Sequence, residues 1–270
     1  MEEKKVWKII CKKYLPTGRR LIGNRWVYAQ KDDGRFRART VAKGFSQIPG
    51  RDFQENHAPV VNDTTFHLML VLKILLRLCA GQFDIETAFL YGELEEELWM
   101  ELPEGYCEYV LELYGIEISA ETHCLLFLKA LCGLVQAARQ WWKKFKEVMN
   151  SIGYVPSPAD PCLFLRQSKD KKKNSFVIIY VDDGGIVGTK EDVNELIKAL
   201  SKDFKVKYLG DLEHFVGCHI IENKAKDTMW IHQPKLLKHL KQEFSRYIHT
   251  TKIYATPAGP KTMCMHPQEG

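Results

Sequence analysis

The sequence lacks any Cys-x-x-Cys pair. Its eight cysteines, Cys11, Cys79, Cys107, Cys124, Cys132, Cys162, Cys218 and Cys264, are irregularly spaced, which argues against a zinc ribbon or finger. It also lacks an uninterrupted apolar run. The longest, near Phe66–Ala80, is broken by Lys73 and Arg77, so no membrane-spanning helix is expected. Met1–Lys5 is charged where a secretory leader would be apolar, so an intracellular chain with reduced thiols is the expectation. Charge of one sign is not in strong excess. Lys and Arg number 39 against 34 Asp and Glu, a formal +5, which permits a nucleic-acid partner without demanding one. No Gly/Ser linker and no internal repeat divides the 270 residues, so they read as one large domain with subdomains. The nine histidines show no ligand spacing, and Cys218-His219 reads as strand packing.

What is present is a mixture of strand and helix patterns. Arg25–Gln30 alternates apolar and polar, Lys31-Asp32-Asp33-Gly34 is a turn signal, and Phe36–Ala42 resumes a strand, giving a hairpin with basic residues on one face. Residues 63–80 read as a helix capped by Asp63 or Thr64, with an apolar stripe of Leu68, Leu72, Leu75, Leu76 and Cys79 and with Gly81 as terminator. Short strands follow at Gln82–Ile85 and Leu98–Leu102. A Trp-rich helix spans Ala137–Ser151, closed by Gly153. After a charged turn at Asp170–Asn174, the β-branched run Ser175–Val181 leads into Asp182-Asp183-Gly184-Gly185 and Ile186–Gly188, a second hairpin. A helix over Glu191–Phe204, strands at Phe215–Ile221 and Met229–His232, and a basic helix at Lys235–Phe244 complete an α+β order with a loose Pro-containing tail.

Two adjacent carboxylates, Asp182 and Asp183, stand at a hairpin tip, and Asp84 ends another short strand. Hard divalent cations prefer carboxylate oxygens, and a phosphoryl-transfer site of the two-metal kind needs carboxylates converging from different elements. Asp-Gly is also a common turn dipeptide and a lone Asp at a strand end is usually a cap. Their shared context therefore decides between turn and site.

That context is a resemblance. Tyr180-Val181-Asp182-Asp183 resembles the YxDD box of reverse transcriptases, and Gln82–Gly92 resembles the DVKTAFLxG segment of copia-type retrotransposons. Glu93–Pro103 continues that match. Arg25–Tyr28 with Arg37–Gln47 resembles the WVF…KARLVAKGFxQ block, and Leu131–Trp141 resembles LYGLKQxPRxW. Ala159–Phe164 and Tyr208–Gly217 resemble two further blocks, all in family order over roughly residues 20–260. The resemblance implies a right-hand polymerase fold with an antiparallel palm sheet, fingers and thumb. It implies fingers at roughly 19–60 and 96–130, palm at 61–95 and 131–220, thumb at 221–256 and a loose tail at 257–270. It implies an RNA-directed DNA polymerase that uses Mg²⁺ (or Mn²⁺), a primer–template and deoxynucleoside triphosphates.

By the same resemblance Asp84, Asp182, Asp183 and the carbonyl of Ile85 hold the metals. Phe89 lies under the incoming sugar, and Arg37, Arg39, Gln136 and Arg139 face the nucleotide. Tyr180, with Lys235, Lys238, Lys241 and Arg246 of the basic helix, meets nucleic acid. RNase H and integrase segments, which the resemblance implies for a parent polyprotein, do not occur in these residues. A cytoplasmic particle and the nucleus are both compatible locations. Cys132, Val135 and Ala138 stand where the family usually has Tyr, Lys and Pro, and Gly184-Gly185 replaces apolar residues. Glycine there is expected to loosen the hairpin. These departures keep a second reading open, a remnant that folds and binds nucleic acid without turnover. A third, a different two-metal nuclease or transferase, would place Asp84 far from Asp182.

Overall fold

A computed structural model describes residues 4–30, 34–167, 174–223, 225 and 227–245. The expected turn residues Lys31–Asp33, most of the charged run at 170–174, Arg246, Cys264 and the tail at 257–270 lie outside them. In chain order the elements are strands β1 (Trp7–Cys11), β2 (Asn24–Gln30) and β3 (Phe36–Ala42), helix α1 (Asp63–Leu75), β4 (Cys79–Ile85), β5 (Trp99–Met100), α2 (Tyr106–Tyr114) and β6 (His123–Phe127). There follow α3 (Ala137–Ser151), β7 (Val155–Pro156), β8 (Leu163–Gln167), β9 (Asn174–Tyr180), β10 (Asp183–Gly188), α4 (Lys190–Leu200), β11 (Val206–Asp211), β12 (His214–Phe215), β13 (Cys218–Glu222), β14 (Met229–His232) and α5 (Pro234–Glu243). A 3-10 turn over Ala88–Tyr91 follows β4.

The strands form an antiparallel six-stranded sheet in the order β11-β4-β10-β9-β8-β7, two three-stranded sheets, β1-β6-β5 and β12-β13-β14, and the β2-β3 hairpin. The main core joins the six-stranded sheet to α1, α3 and α4 through Phe66, Met69, Phe145, Met149, Leu196 and Leu200. A second core, with Ile22, Leu98, Met100, Leu125 and Leu131, lies under the β1-β6-β5 sheet.

Local chemistry explains most boundaries. In α3 the buried positions Ala137, Gln140, Trp141, Phe145, Val148 and Met149 repeat at three and four residues, the period of a half-buried helix. Helix α4 opens with a capping box: Thr189 N–H donates to Asp192 Oδ2 at 2.9 Å, and Asp192 N–H donates to Thr189 Oγ1 at 3.2 Å. In the β2-β3 hairpin, Val27 faces Arg39 and Ala29 faces Arg37, while Arg25 faces Val41. All three arginines therefore share one face, as the alternation predicts.

Helix α1 departs from expectation. Its cap is Asn62, whose side chain accepts from Thr64 N–H at 2.9 Å, not Asp63 or Thr64. It ends at Leu75, where Arg77 turns left-handed at φ 52°. Gly81 is not its terminator but an interior residue of β4, where a Cβ would press on Tyr208 and Val193. The buried face is Phe66, Met69, Leu70 and Lys73. Of the predicted stripe, Leu68, Leu75 and Leu76 point outward, with Leu75 70% exposed, and Leu72 is half-buried. From Phe66 to Leu75 only His67 and Lys73 interrupt the apolar residues of α1, so periodicity alone cannot choose the face. Two further boundaries differ. The expected strand Phe215–Ile221 is split between β12 and β13 by a turn with Val216 at φ 47° and Gly217 at φ 75°. β1, α2 and β11 carried no alternation or stripe strong enough to be read.

Candidate active site

The centre of the six-stranded sheet brings the carboxylates together. β10 pairs with β4 so that Asp183 lies directly opposite Asp84, and with β9 so that Asp183 also faces Tyr180. Directly opposed residues share a face and sit roughly 5 Å apart at Cβ. Asp182 precedes them in the turn, and its carbonyl accepts from Ile85 N–H at 2.9 Å. That bond ties the hairpin tip to the residue after Asp84.

The turn itself is strained. Val181 has φ 56°, and Asp182 does not share that sign. This is the φ pattern of a type II′ turn, where glycine is the usual occupant of the first position. A β-branched residue there costs on the order of 1–3 kcal/mol and persists only when its surroundings enforce it. The enforcement comes from α3: Trp141 Nε1–H donates to the carbonyl of Val181 at 2.5 Å.

Electrostatics agree with the register. Burial first, then the neighbouring charges of Asp182 and Asp84, raise the Asp183 carboxyl to about 6. Such a group of like charges at a half-buried position is the setting that a divalent cation would relieve. The donor set fits Mg²⁺ or Mn²⁺ by chemistry. Even so, among the described residues no three His, Cys, Asp or Glu side chains already surround a common point. At the edge of the group Lys205 pairs with Glu86 at 2.7 Å and holds that carboxyl below its ordinary range.

Gly184, where loosening is expected, is closely packed. It faces Phe83 across the strands, and a Cβ at Gly184 would come within 2.1 Å of the Phe83 ring. The ring occupies the space an apolar side chain would otherwise take, and both residues are buried.

The other expected site residues divide. Phe89 is half-buried in the 3-10 turn and packs against both cores. Tyr180 is half-buried beside the carboxylates. Ile85 is fully buried at the end of β4. Arg37 and Arg39 are exposed on β3. Lys235, Lys238 and Lys241 are exposed on α5, a helix with no buried residue.

Gln136, expected to face the nucleotide, is instead 1% exposed. Its Nε2 donates to the Asp52 carbonyl at 3.1 Å and to Glu96 at 3.3 Å, while its Oε1 accepts from Gln47 Nε2 at 3.0 Å. In this arrangement it clamps three loops together, since a buried amide must satisfy its own donors and acceptor. Arg139 pairs with Glu55 and donates to the His57 carbonyl at 3.3 Å. Sequence reasoning missed Trp141 as a support of the hairpin. The Trp-rich run announced a core helix but not which carbonyl the indole would meet.

Comparison with known proteins adds the family. Residues 4–252 match the family model described as reverse transcriptase (RNA-dependent DNA polymerase). The retrovirus-related Pol polyprotein from transposon TNT 1-94 of Nicotiana tabacum is 36% identical over 252 residues, 90% of this chain and 18% of that protein. The Pol polyprotein from transposon RE1 of Arabidopsis thaliana is 32% identical over 219 residues, 79% of this chain and 14% of that protein. The chain thus spans less than a fifth of the length of these relatives. A structure of a foamy viral protease-reverse transcriptase in complex with ds DNA overlaps 88% of this chain and 34% of that one, with TM-score 0.41 and 11% identity.

Proposed function

The chain belongs to the reverse transcriptase (RNA-dependent DNA polymerase) family in its copia-type retrotransposon form, and from that premise we propose that it extends a primer on an RNA template by two-metal nucleotidyl transfer. The observation that carries this is the register placing Asp183 opposite Asp84, with Asp182 adjoining and bonded to Ile85.

Asp84, Asp182 and Asp183 would hold the cations, together with the Ile85 carbonyl. Bound there, divalent ions would lower the pKa of the primer hydroxyl and neutralise the triphosphate. The protein's own part is positioning. Trp141 and Ile85 fix the turn that presents Asp182, and strand pairing fixes Asp84 against Asp183. Phe89, five residues beyond Asp84, is the aromatic side chain offered to the sugar. The exposed Arg37 and Arg39 suit a triphosphate through paired guanidinium bonds. The six-stranded sheet with β12 and most of β13 serves as palm, the β2-β3 hairpin with β5 and β6 as fingers, and β14 with α5 as thumb, in a right-hand arrangement.

A second reading, nucleic-acid binding without turnover, rests on the departures at Cys132, Val135 and Ala138 from the family pattern. Primer extension on an RNA template with Mg²⁺ or Mn²⁺ separates the two. We expect incorporation that falls at least a hundredfold in Asp182→Asn, and activity equal in that variant would sink the proposal. A folded wild type that binds primer–template yet incorporates nothing establishes the second reading instead.

A further inference from the structure

Strand pairing builds a second cluster that the polymerase reading leaves unused. In the β12-β13-β14 sheet, His214 faces His219 and His219 faces His232. Three imidazoles therefore stand in a row across three strands. Their ring centroids are 4.5 Å apart for His214 and His219 and 4.7 Å for His219 and His232. Because side chains alternate, the row occupies the face opposite Phe215 and Ile220, which are buried in the main core. Positions 214, 219 and 232 follow no recognisable spacing in sequence, which is why Cys218-His219 read only as strand packing.

A stacked row of rings could serve packing alone, but two observations point to a ligand. His232 Nε2 is sealed from solvent and has no hydrogen-bond partner. A shielded ring nitrogen left unpaired is costly, and one beside a second imidazole has the lone pair a cation would use. His219 also lines a cavity of about 530 Å³ with Asp211 and Glu213; Lys73, on the same wall, is paired to Glu222, which leaves the two other carboxylates to favour a positive ion. His214 is exposed and opens an entry path.

The spacing fits the coordination. Tetrahedral zinc with Zn–N near ~2.0–2.1 Å holds ligand nitrogens roughly 3.3 Å apart. Rings whose centroids are 4.5 and 4.7 Å apart can reach that separation by side-chain rotation. As they stand the rings stack rather than converge, consistent with the absence of a gathered donor set among the described residues.

We infer that His214, His219 and His232 form a site for a borderline divalent transition cation of the Zn²⁺, Ni²⁺ or Cu²⁺ class, with water completing the coordination. Neutral imidazole suits these ions, whereas Mg²⁺ keeps oxygen ligands. The site is therefore chemically separate from the Asp84, Asp182 and Asp183 group and does not depend on it.

The test is calorimetric titration of the full chain with Zn²⁺ in excess Mg²⁺, with Co²⁺ absorption as a second readout. One ion per chain is expected, with affinity at least tenfold lower in His219→Ala and a changed Co²⁺ spectrum. His214→Ala, at the exposed edge, guards against a folding failure of the central variant and should also weaken binding. Asp183→Asn should bind as the parent does. The inference is overturned if both histidine variants titrate like the parent, if no saturable binding appears, or if Asp183→Asn abolishes uptake.

Discussion

At residue scale the site depends on side chains behind it as much as on those in it. Gly184 admits the Phe83 ring, and Phe83 adjoins Asp84. Gly184→Ala should destabilise by about 1–3 kcal/mol, the usual cost of overpacking a filled core. Phe83→Leu in the same chain should recover part of that loss, measured as a double-mutant cycle by chemical denaturation. Additive losses would show that the ring does not oppose the new methyl.

Asp183 offers a second residue-scale outcome. Its carboxyl is held at about 6, above the ordinary carboxylate value of 3.8. The folded metal-free chain therefore binds this proton more tightly than the unfolded one. Its favourable contribution is full below the unfolded value and is lost as pH rises through about 6. Asp183→Asn should raise the melting temperature of EDTA-treated protein near about pH 8, with little effect near about pH 4. The gain should be on the order of 1 kcal/mol once solvent screening at a half-exposed group is allowed for. Equal shifts at both pH values would refute the assignment.

Both carboxylate strands could be read from the chain because Asp-Asp-Gly at a hairpin tip and a β-branched run are local signals. The fit of Phe83 into Gly184 could not, since it is made by register between strands distant in sequence. Gln136 shows the same limit: the LxxLVQ segment marks a helix start, but only tertiary packing puts its amide inside.

At the scale of elements, α1 meets the β12-β13-β14 sheet through Phe66 against Phe215 and through an ion pair. Lys73, on the buried face of α1, pairs with Glu222 of β13, and its side chain is 6% exposed against 24% for its partner. Removing one member of such a pair strands the other charge, and a stranded Lys73, the more buried of the two, costs more than a stranded Glu222. Glu222→Ala should therefore cost more than Lys73→Met, by roughly 1–3 kcal/mol in equilibrium unfolding. The reverse order would mean Lys73 reaches solvent. This helix is also where pattern reading failed, because α1 is apolar on both faces and its outward Leu68, Val71 and Leu75 mimic a core stripe. By contrast α3 and α4 were legible, because each has one apolar and one polar side.

For the molecule as a whole, the formal charge of +5 is modest, so the proposed affinity for nucleic acid would come from where cations cluster. Lys235, Lys238 and Lys241 are exposed on α5. Replacing all three with Ala should lower the slope of log affinity against log salt by about 2–3 for a primer–template duplex, as expected when that number of phosphate contacts is lost. Fluorescence anisotropy across a salt series would measure it, and an unchanged slope would place the duplex elsewhere. The overall class, antiparallel hairpins with intervening helices, was legible in the chain. The order of strands in the main sheet was not, because β11 beside β4 is a long-range pairing with no local mark.

The indole of Trp141 reaches the carbonyl just ahead of the paired acids, so α3 works as a brace on a bent spring. A mutagenesis screen scored only by product yield would then count positions along that brace as chemical participants. Scored by heat resistance as well, they would separate, with Trp141→Phe losing turnover together with rigidity while Asp182→Asn loses turnover alone.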